Sequence, residues 1–398
     1  CGLDTTAWRD EGGDLCRRLL GSELSVKGSA PGDSLPFDTG RAHALYRALF
    51  GQLGDLIDHR QLLIVPSAVL GRLPFHVLVT EQPEFDSAGL YRYDLTKWLV
   101  HSHAITILPS VASLAALRQA AKPSAATRAF IGFGNPVLVG PDGQDRAASA
   151  FQQCTQTSAH PIQQIPRAVR APAAKFYRSG IANIEFLRAQ YPLPETAFEL
   201  CTVSRSLGEL DDAVYLGKRA TETAVKALSA SGALRRARIV HFATHGLLST
   251  ESELFGGSAE PALLLTPPDT ASEADDGLLT GSEVARLDLD ADWVVLSACN
   301  TAAGGGGHER LNMLSGLARS FFYAGARALM VSHWAVNSDV TVKLVTGTFG
   351  HLRADPRMGR AQALRLSMLE MLKAGELNAH PANWAPFIVV GEGAAPSH

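Results

Sequence analysis

The sequence predicts an α/β protein organised around a mainly parallel sheet. Short runs of strand-forming residues alternate with helical patterns along most of the chain. Several of those runs are apolar at every position, and Gly, Pro or Asn marks where they stop. A strand that is apolar throughout is buried on both faces, and such strands separated by helices are the pattern of a parallel sheet covered on both sides.

At 398 residues the chain can bury one large core or two ordinary ones. Apolar residues make up 46% and charged residues 19%, as in folded soluble proteins. A net charge of −3 supplies no field favouring nucleic acid or anionic lipid, so neither partner is expected. The basic cluster Arg235, Arg236 and Arg238 is short and reads as a solvated helix end. With no leader pattern and no apolar run of about 18 residues, neither a signal peptide nor a membrane span is expected. The five cysteines (Cys1, Cys16, Cys154, Cys201 and Cys299) lack paired spacing, which points to reduced thiols and a cytoplasmic setting. Neither C-x-x-C nor H-E-x-x-H occurs, so no metal or cofactor is expected. A start at Cys1 rather than Met suggests a piece of a longer protein.

Residues 1–40 read as an N-terminal extension with a helical pattern from Trp8 to Leu20. Leu45, Leu49, Leu53, Leu56 and Ile57 then recur at helical spacing. LLIVP (62–66), LPFHVLV (73–79), ITILP (105–109) and AFIGFGNP (129–136) read as strands, with a helix over 110–121. From 139 to 194 Gly, Gln, Ala and Pro dominate and periodicity fades, which reads as a long, partly mobile connection. A helix near 195–207, a strand at AVYLG (213–217) and a helix over 221–230 capped by Thr221 follow. RIVHFATHG (238–246) is a strand running into a glycine turn, PALLLT (261–266) a short apolar run, and DGLLTGSEVARL (276–287) a turn followed by a helix. WVVLSACN (293–300) is a strand, LNMLSGLARSFFYAG (311–325) an amphipathic helix stopped by Gly325, and RALMVSHW (327–334) another strand. Helices from Val340 and Met358 and a segment at NWAPFIVVG (383–391) complete the pattern. The expected division is an extension (1–40), an α/β lobe (41–138), a connection (139–194) and a second α/β lobe (195–398).

In open α/β sheets reactive groups gather beyond the carboxyl ends of strands. Two strands here end on residues able to do chemistry: one on His245 and Gly246, the other on Cys299, followed by small residues and the glycines 304–307. The pair is 54 positions apart (299 − 245), room for two crossovers between neighbouring strands. A thiol attacking an amide needs to be ionised and needs an acid for the departing amine, and one histidine supplies both. Backbone N–H groups at a glycine turn suit a tetrahedral oxyanion, and the amides of Gly246 and Cys299 are the candidates. No Gly-Lys-Ser/Thr follows the glycines, so they are not a phosphate loop. Taken singly, each residue has an ordinary reading. Cys299 would be a small core side chain, His245 a structural histidine and Trp334 a core aromatic, while His241 and His333 also sit near strand ends.

The blocks LLIVPSAVLGRLPFHVLV (62–79), ITILPS (105–110), IGFGNP (131–136), IVHFATHG (239–246), DGLLTGSEV (276–284), VVLSACNTAAG (294–304), LARSFFYAGARALMVSHWAV (317–336) and HPANWAPFIVVG (380–391) together resemble a CHAT domain. This caspase-like module belongs to a clan of cysteine peptidases shared with caspases and separases and is often joined to tetratricopeptide repeats. The resemblance covers residues 40 to 391 and implies a caspase-like parallel sheet flanked by helices, preceded by a degenerate caspase-like half. It implies Cys299 as nucleophile, His245 as general acid/base and Gly246 in the oxyanion hole. It further implies an endopeptidase of narrow specificity in bacterial defence, switched on by an upstream sensor or repeat region and cleaving a gasdermin-like or other effector protein. A catalytically silent scaffold for protein–protein interaction is the alternative. In related peptidases the residue two before the nucleophile lines the P1 pocket, which is Ser297 here, and Trp334 and Ala335 would border the cleft. Asp339 stands one step beyond the position of a P1-contacting acid and can instead cap the next helix. A pocket poor in carboxylates suits a small, polar or apolar P1 residue rather than Arg.

Overall fold

The computed structural model describes residues 37–66, 70–71, 73–85, 92–111, 124–141, 151–154, 168–169, 177–178, 181–247, 260–298, 316–334, 338–375 and 379–393. In chain order these hold α1 (Thr39–Phe50), α2 (Gly54–Ile57), β1 (Leu62–Ile64), β2 (Ile105–Ile107) and β3 (Arg128–Gly134). Then come β4 (Ala168–Val169), β5 (Tyr177–Arg178), β6 (Ile181–Ala182), α3 (Ile184–Arg188), α4 (Glu195–Ser206), β7 (Val214–Leu216), α5 (Glu222–Ala230), β8 (Ala237–Ala243) and β9 (Gly246–Leu247). The rest are β10 (Ala262–Leu264), β11 (Leu278–Thr280), α6 (Gly281–Val284), β12 (Trp293–Leu296), α7 (Gly316–Tyr323), β13 (Ala328–Ser332), α8 (Ser338–Ala354), α9 (Arg360–Lys373) and β14 (Phe387–Gly391). Residues 112–121 of the expected helix over 110–121, and residues 311–315 of that over 311–325, lie outside the described residues.

Eight strands form one sheet in the order β1-β2-β14-β13-β12-β8-β3-β7. All neighbours are parallel except β13 and β14. The sheet is therefore two parallel blocks of opposite direction meeting at one antiparallel seam. This is the mainly parallel, helix-flanked α/β fold that the apolar strands predict. Strand β3, which ends within the first expected lobe, lies between β8 and β7, so a single sheet runs through both expected lobes. A second sheet, β11-β10-β9-β4, stands at the carboxyl end of β8.

Alternation along the central strands fills both faces. Trp293 and Val295 of β12 and Ala243 of β8 join Met330, Leu200, Leu344, Phe349 and Leu364 on one side. Val240, Phe242, Val294 and Leu296 join Val225, Leu317 and Phe321 on the other. Burying each such side chain contributes about 1.5–3 kcal/mol. Helix α4 lies close against β3 because the strand carries glycines there. A Cβ on Gly134 would stand 2.6 Å from Leu200 Cδ1 and 2.7 Å from the carbonyl oxygen of Ala243. Thr221 caps α5 as its sequence predicts, its hydroxyl accepting from the Ala224 N–H. Gly325, with φ of +109°, takes the chain away from α7 in a conformation that other residues rarely adopt.

Several expectations are corrected. LPFHVLV is not a strand: after Pro74 it winds into one 3-10 turn, Phe75–Val77, with all three side chains buried. A short apolar run bounded by Pro cannot be told from a buried helical turn by its periodicity. Between the expected turn and helix of 276–287 stands a strand, β11, which pairs with β10. The thiols of Cys154 and Cys201 are not reduced: they form a disulfide spanning 47 positions, with Cα atoms 5.5 Å apart, between the connection and α4. Arg235 and Arg238 pair with Asp288 and Asp292, and Arg238 stands in strand β8 rather than at a helix end. Among the described residues no helix is long and apolar enough to cross a membrane, and no group of three or more His, Cys, Asp or Glu is placed to hold a metal ion.

Candidate active site

The strands that precede His245 and Cys299 in the sequence, β8 and β12, are direct neighbours. β8 and β12 run parallel in the middle of the sheet, with Trp293 opposite Ile239 and Leu296 opposite Phe242. The Ser297 N–H extends this ladder by donating to the Phe242 carbonyl at 3.0 Å.

Beyond β8 the chain is held residue by residue. The Thr244 hydroxyl donates to the Leu264 carbonyl, and the Leu264 N–H donates to the His245 carbonyl at 2.9 Å. Gly246 then enters β9, paired with Leu263 of β10 on one side and Ala168 of β4 on the other. The far edge of this small sheet is locked by Glu222, whose carboxylate accepts the N–H groups of Asp276 and Gly277 at 2.9 and 3.1 Å. Lys226 bridges Glu222 to Glu283, and Glu283 completes a capping box with Thr280. The DGLLTGSEV block thus fixes the sheet on which Gly246 rests.

The His245 side chain is buried, and its Nε2 lies 2.8 Å from the carbonyl oxygen of Tyr191. A carbonyl can only accept, so Nε2 carries a proton in this contact and Nδ1 is left as the basic nitrogen. Tyr191 follows α3, in a stretch tied to the start of the connection by bonds from Val139 N–H to the Arg188 carbonyl and from Gly140 N–H to the Gln190 carbonyl. Nothing in the sequence distinguishes Tyr191, because its main chain makes the contact.

Cys299 lies outside the described residues, which reach Ala298. Ser297 is buried, its hydroxyl 2.6 Å from Glu199 Oε1 on α4 and 2.9 Å from His241 Nε2 on β8. The carbonyl of Ala298 accepts from the Ser332 hydroxyl of β13 at 2.6 Å. Trp334, just past β13, is buried and reaches the Ala382 carbonyl at 3.5 Å. Ala335 lies outside the described residues, and Asp339 falls in the first turn of α8. Glu199 was not singled out by the sequence, because an acid within a helical pattern normally reads as part of a solvated face. The parity of β8 could have flagged His241 as inward-facing.

Two more histidines, His76 and His333, are buried. Burial pushes the imidazole of His333, beside Trp334, down to about 3, with a smaller push from His76. Burial likewise lowers His76 to about 4. Both stay neutral near pH 7.

A family model for the CHAT domain matches residues 39–392. The chain belongs to the CHAT domain family. Among curated proteins, this CHAT domain is 27% identical over 228 residues to tetratricopeptide repeat protein 28 of Mus musculus and 27% identical over 229 residues to that of Homo sapiens. Each match covers 50% of this chain, and 9% and 8% of the mouse and human proteins, so the chain spans under a tenth of those relatives. Among solved structures it is similar to the Arg-specific cysteine proteinase gingipain R, at a TM-score of 0.42 and 10% identity, over 89% of this chain and 67% of that one. A complex of the pro- and mature domains of Porphyromonas gingivalis RgpB gives a TM-score of 0.32 at 8% identity, over 52% of this chain and 44% of that one.

Proposed function

We propose that this CHAT domain is a cysteine endopeptidase in which Cys299 attacks and His245 moves the protons. The observation that carries the reading is the register of β8 and β12. The residues Ile239–Phe242 of β8 each face the one 54 positions later on β12 (293 − 239 = 54), and His245 and Cys299 are separated by the same 54 positions in the sequence. The hydrogen bond from Nε2 to Tyr191 supports it, since it orients the ring and leaves Nδ1 to take the thiol proton. In the proposed reaction the Cys299 thiolate adds to a peptide carbonyl, and the amides of Gly246 and Cys299 hold the oxyanion. The amine leaves with the proton from His245, and water then hydrolyses the thioester with His245 as base. Trp334 and Ala335 border the cleft. Ser297, the position that lines the P1 pocket in related peptidases, is buried here with its hydroxyl engaged by Glu199 and His241, so it brings no carboxylate to that pocket. A small, polar or apolar P1 residue fits it better than Arg, with Asp339 in α8 too far along the chain to provide the missing charge. An upstream repeat region controlling the site agrees with the names of the matched relatives.

The test is labelling with a peptide-like thiol electrophile, read by peptide mapping, in the wild type, His245→Ala and Cys299→Ala. Selective modification of Cys299 that is lost without His245 is the expected result. Cys299 labelling at the same rate with and without His245 would refute the dyad and favour a scaffold. A P1 library cleaved strictly after Arg or Lys would overturn the pocket assignment.

A further inference from the structure

Glu199, His241 and Ser297 form a polar cluster that the proposed chemistry does not use. All three side chains are essentially without solvent contact, at 0%, 0% and 1% exposure, so no substrate can reach them. They come from three elements: α4, β8 and the end of β12. Glu199 Oε1 lies 2.6 Å from Ser297 Oγ and 2.9 Å from His241 Nε2, and the last two are 2.9 Å apart. The imidazole is walled by Phe130, edge-on with centroids 6.0 Å apart, and by Phe349 at 6.5 Å. Its Nδ1 is buried with no hydrogen-bond partner among the described residues. A bare ring nitrogen is a cheaper group to leave unmatched than a buried N–H, so the proton sits on Nε2 and donates to Glu199. The ring is held by these two aromatic walls and by its contacts with Glu199 and Ser297. It is a fixed strut.

The place of this strut gives it a role. Ser297 and Ala298 are the last two residues before Cys299, and each is held from a different direction. Ser297 is held through its N–H by the Phe242 carbonyl, and through its hydroxyl by Glu199 and His241. Ala298 is held through its carbonyl by Ser332. A strand end left to its backbone ladder frays, whereas one pinned by a buried carboxylate has little freedom.

We propose that Glu199, His241 and Ser297 are positioning residues, a buried clamp that sets where Cys299 stands relative to His245 and the oxyanion donors. The proposal rests on the peptidase reading above. The clamp ties the reactive end of β12 to α4, so a displacement of α4 would displace the nucleophile.

The test compares the wild type with Ser297→Ala, Glu199→Ala, Glu199→Gln and the double variant Glu199→Ala/Ser297→Ala. Two Cys299 reaction rates are read for each: with iodoacetamide, which needs only an accessible thiolate, and with a peptide-like electrophile, which needs the aligned site. Val225→Ala, on the opposite face of the sheet, serves as a control for lost stability, and all rates are taken well below each melting point. The alanine variants should lose roughly 10- to 100-fold in the peptide-electrophile rate, the loss expected of a displaced reacting group, with a much smaller change for iodoacetamide. The double variant should lose no more than the worse single one. Glu199→Gln keeps an acceptor for Ser297 and should stay within about three-fold of wild type. It also keeps the test decisive if Glu199→Ala does not fold. Peptide-electrophile rates in Ser297→Ala or Glu199→Ala equal to those of Val225→Ala would overturn the clamp while leaving the dyad standing. A wild type whose Cys299 labelling ignores His245→Ala would overturn both.

Discussion

Acidification should destabilise this protein through two histidines that take no part in the proposed chemistry. His76 and His333 are buried, and His76 Nδ1 and His333 Nε2 have no hydrogen-bond partner among the described residues. Burial pushes their folded pKa values from 6.5 to about 4 and about 3. In the unfolded chain each takes a proton as the pH falls through 6.5, while the folded state cannot. The unfolded state then binds more protons, so stability declines with falling pH, until near 4 for His76 and near 3 for His333. Between pH 7 and pH 5 the gap is about 1.5 pH units per residue, which at 1.36 kcal/mol per unit costs about 2 kcal/mol each and about 4 kcal/mol together. Against a typical domain stability of about 5–15 kcal/mol, this should be plain in urea unfolding midpoints at pH 7, 6 and 5. His76→Phe, which cannot titrate, should remove about half of the decline, whatever its effect at pH 7. A wild type equally stable at pH 7 and pH 5, or a His76→Phe variant with the same decline as wild type, would refute the reasoning.

Two further substitutions probe the packing around the site. Gly134→Ala puts a Cβ within 2.7 Å of the Ala243 carbonyl oxygen and should cost about 1–3 kcal/mol by overpacking, seen as a lower melting temperature. An unchanged melting temperature would show that α4 can shift outward freely. Replacing Cys154 and Cys201 together by Ser opens a loop of 47 positions and should cost about 4 kcal/mol on the chain-entropy account, read from denaturant midpoints without reductant.

Much of this was legible in the sequence for physical reasons. The residues of β3, β8, β12 and β13 are apolar at nearly every position because both faces of the sheet are covered, and that pattern is local. His245 and Cys299 stood out because each follows such a run. Strand direction is not local: nothing within FIVVG shows that it runs against ALMVS, since direction is set by how the intervening helices cross. The Cys154–Cys201 pairing depends on α4 packing on β3, which no spacing rule encodes. Glu199 carries its meaning only once α4 is laid on the sheet and its carboxylate meets Ser297.

The seam between β13 and β14 also bears on how the molecule comes together. The last strand in sequence sits in the interior of the sheet, joining β2 to β13. Strands β1 and β2, made well before β14, therefore have no link to the other block until β14 leaves the ribosome. Their contacts close over most of the chain's length, which makes the final step a slow, long-range one. Until then both would-be neighbours of β14 present bare backbone. A nascent chain in that state is exposed to mispairing, and a chain shortened by this one strand would leave the sheet in two pieces.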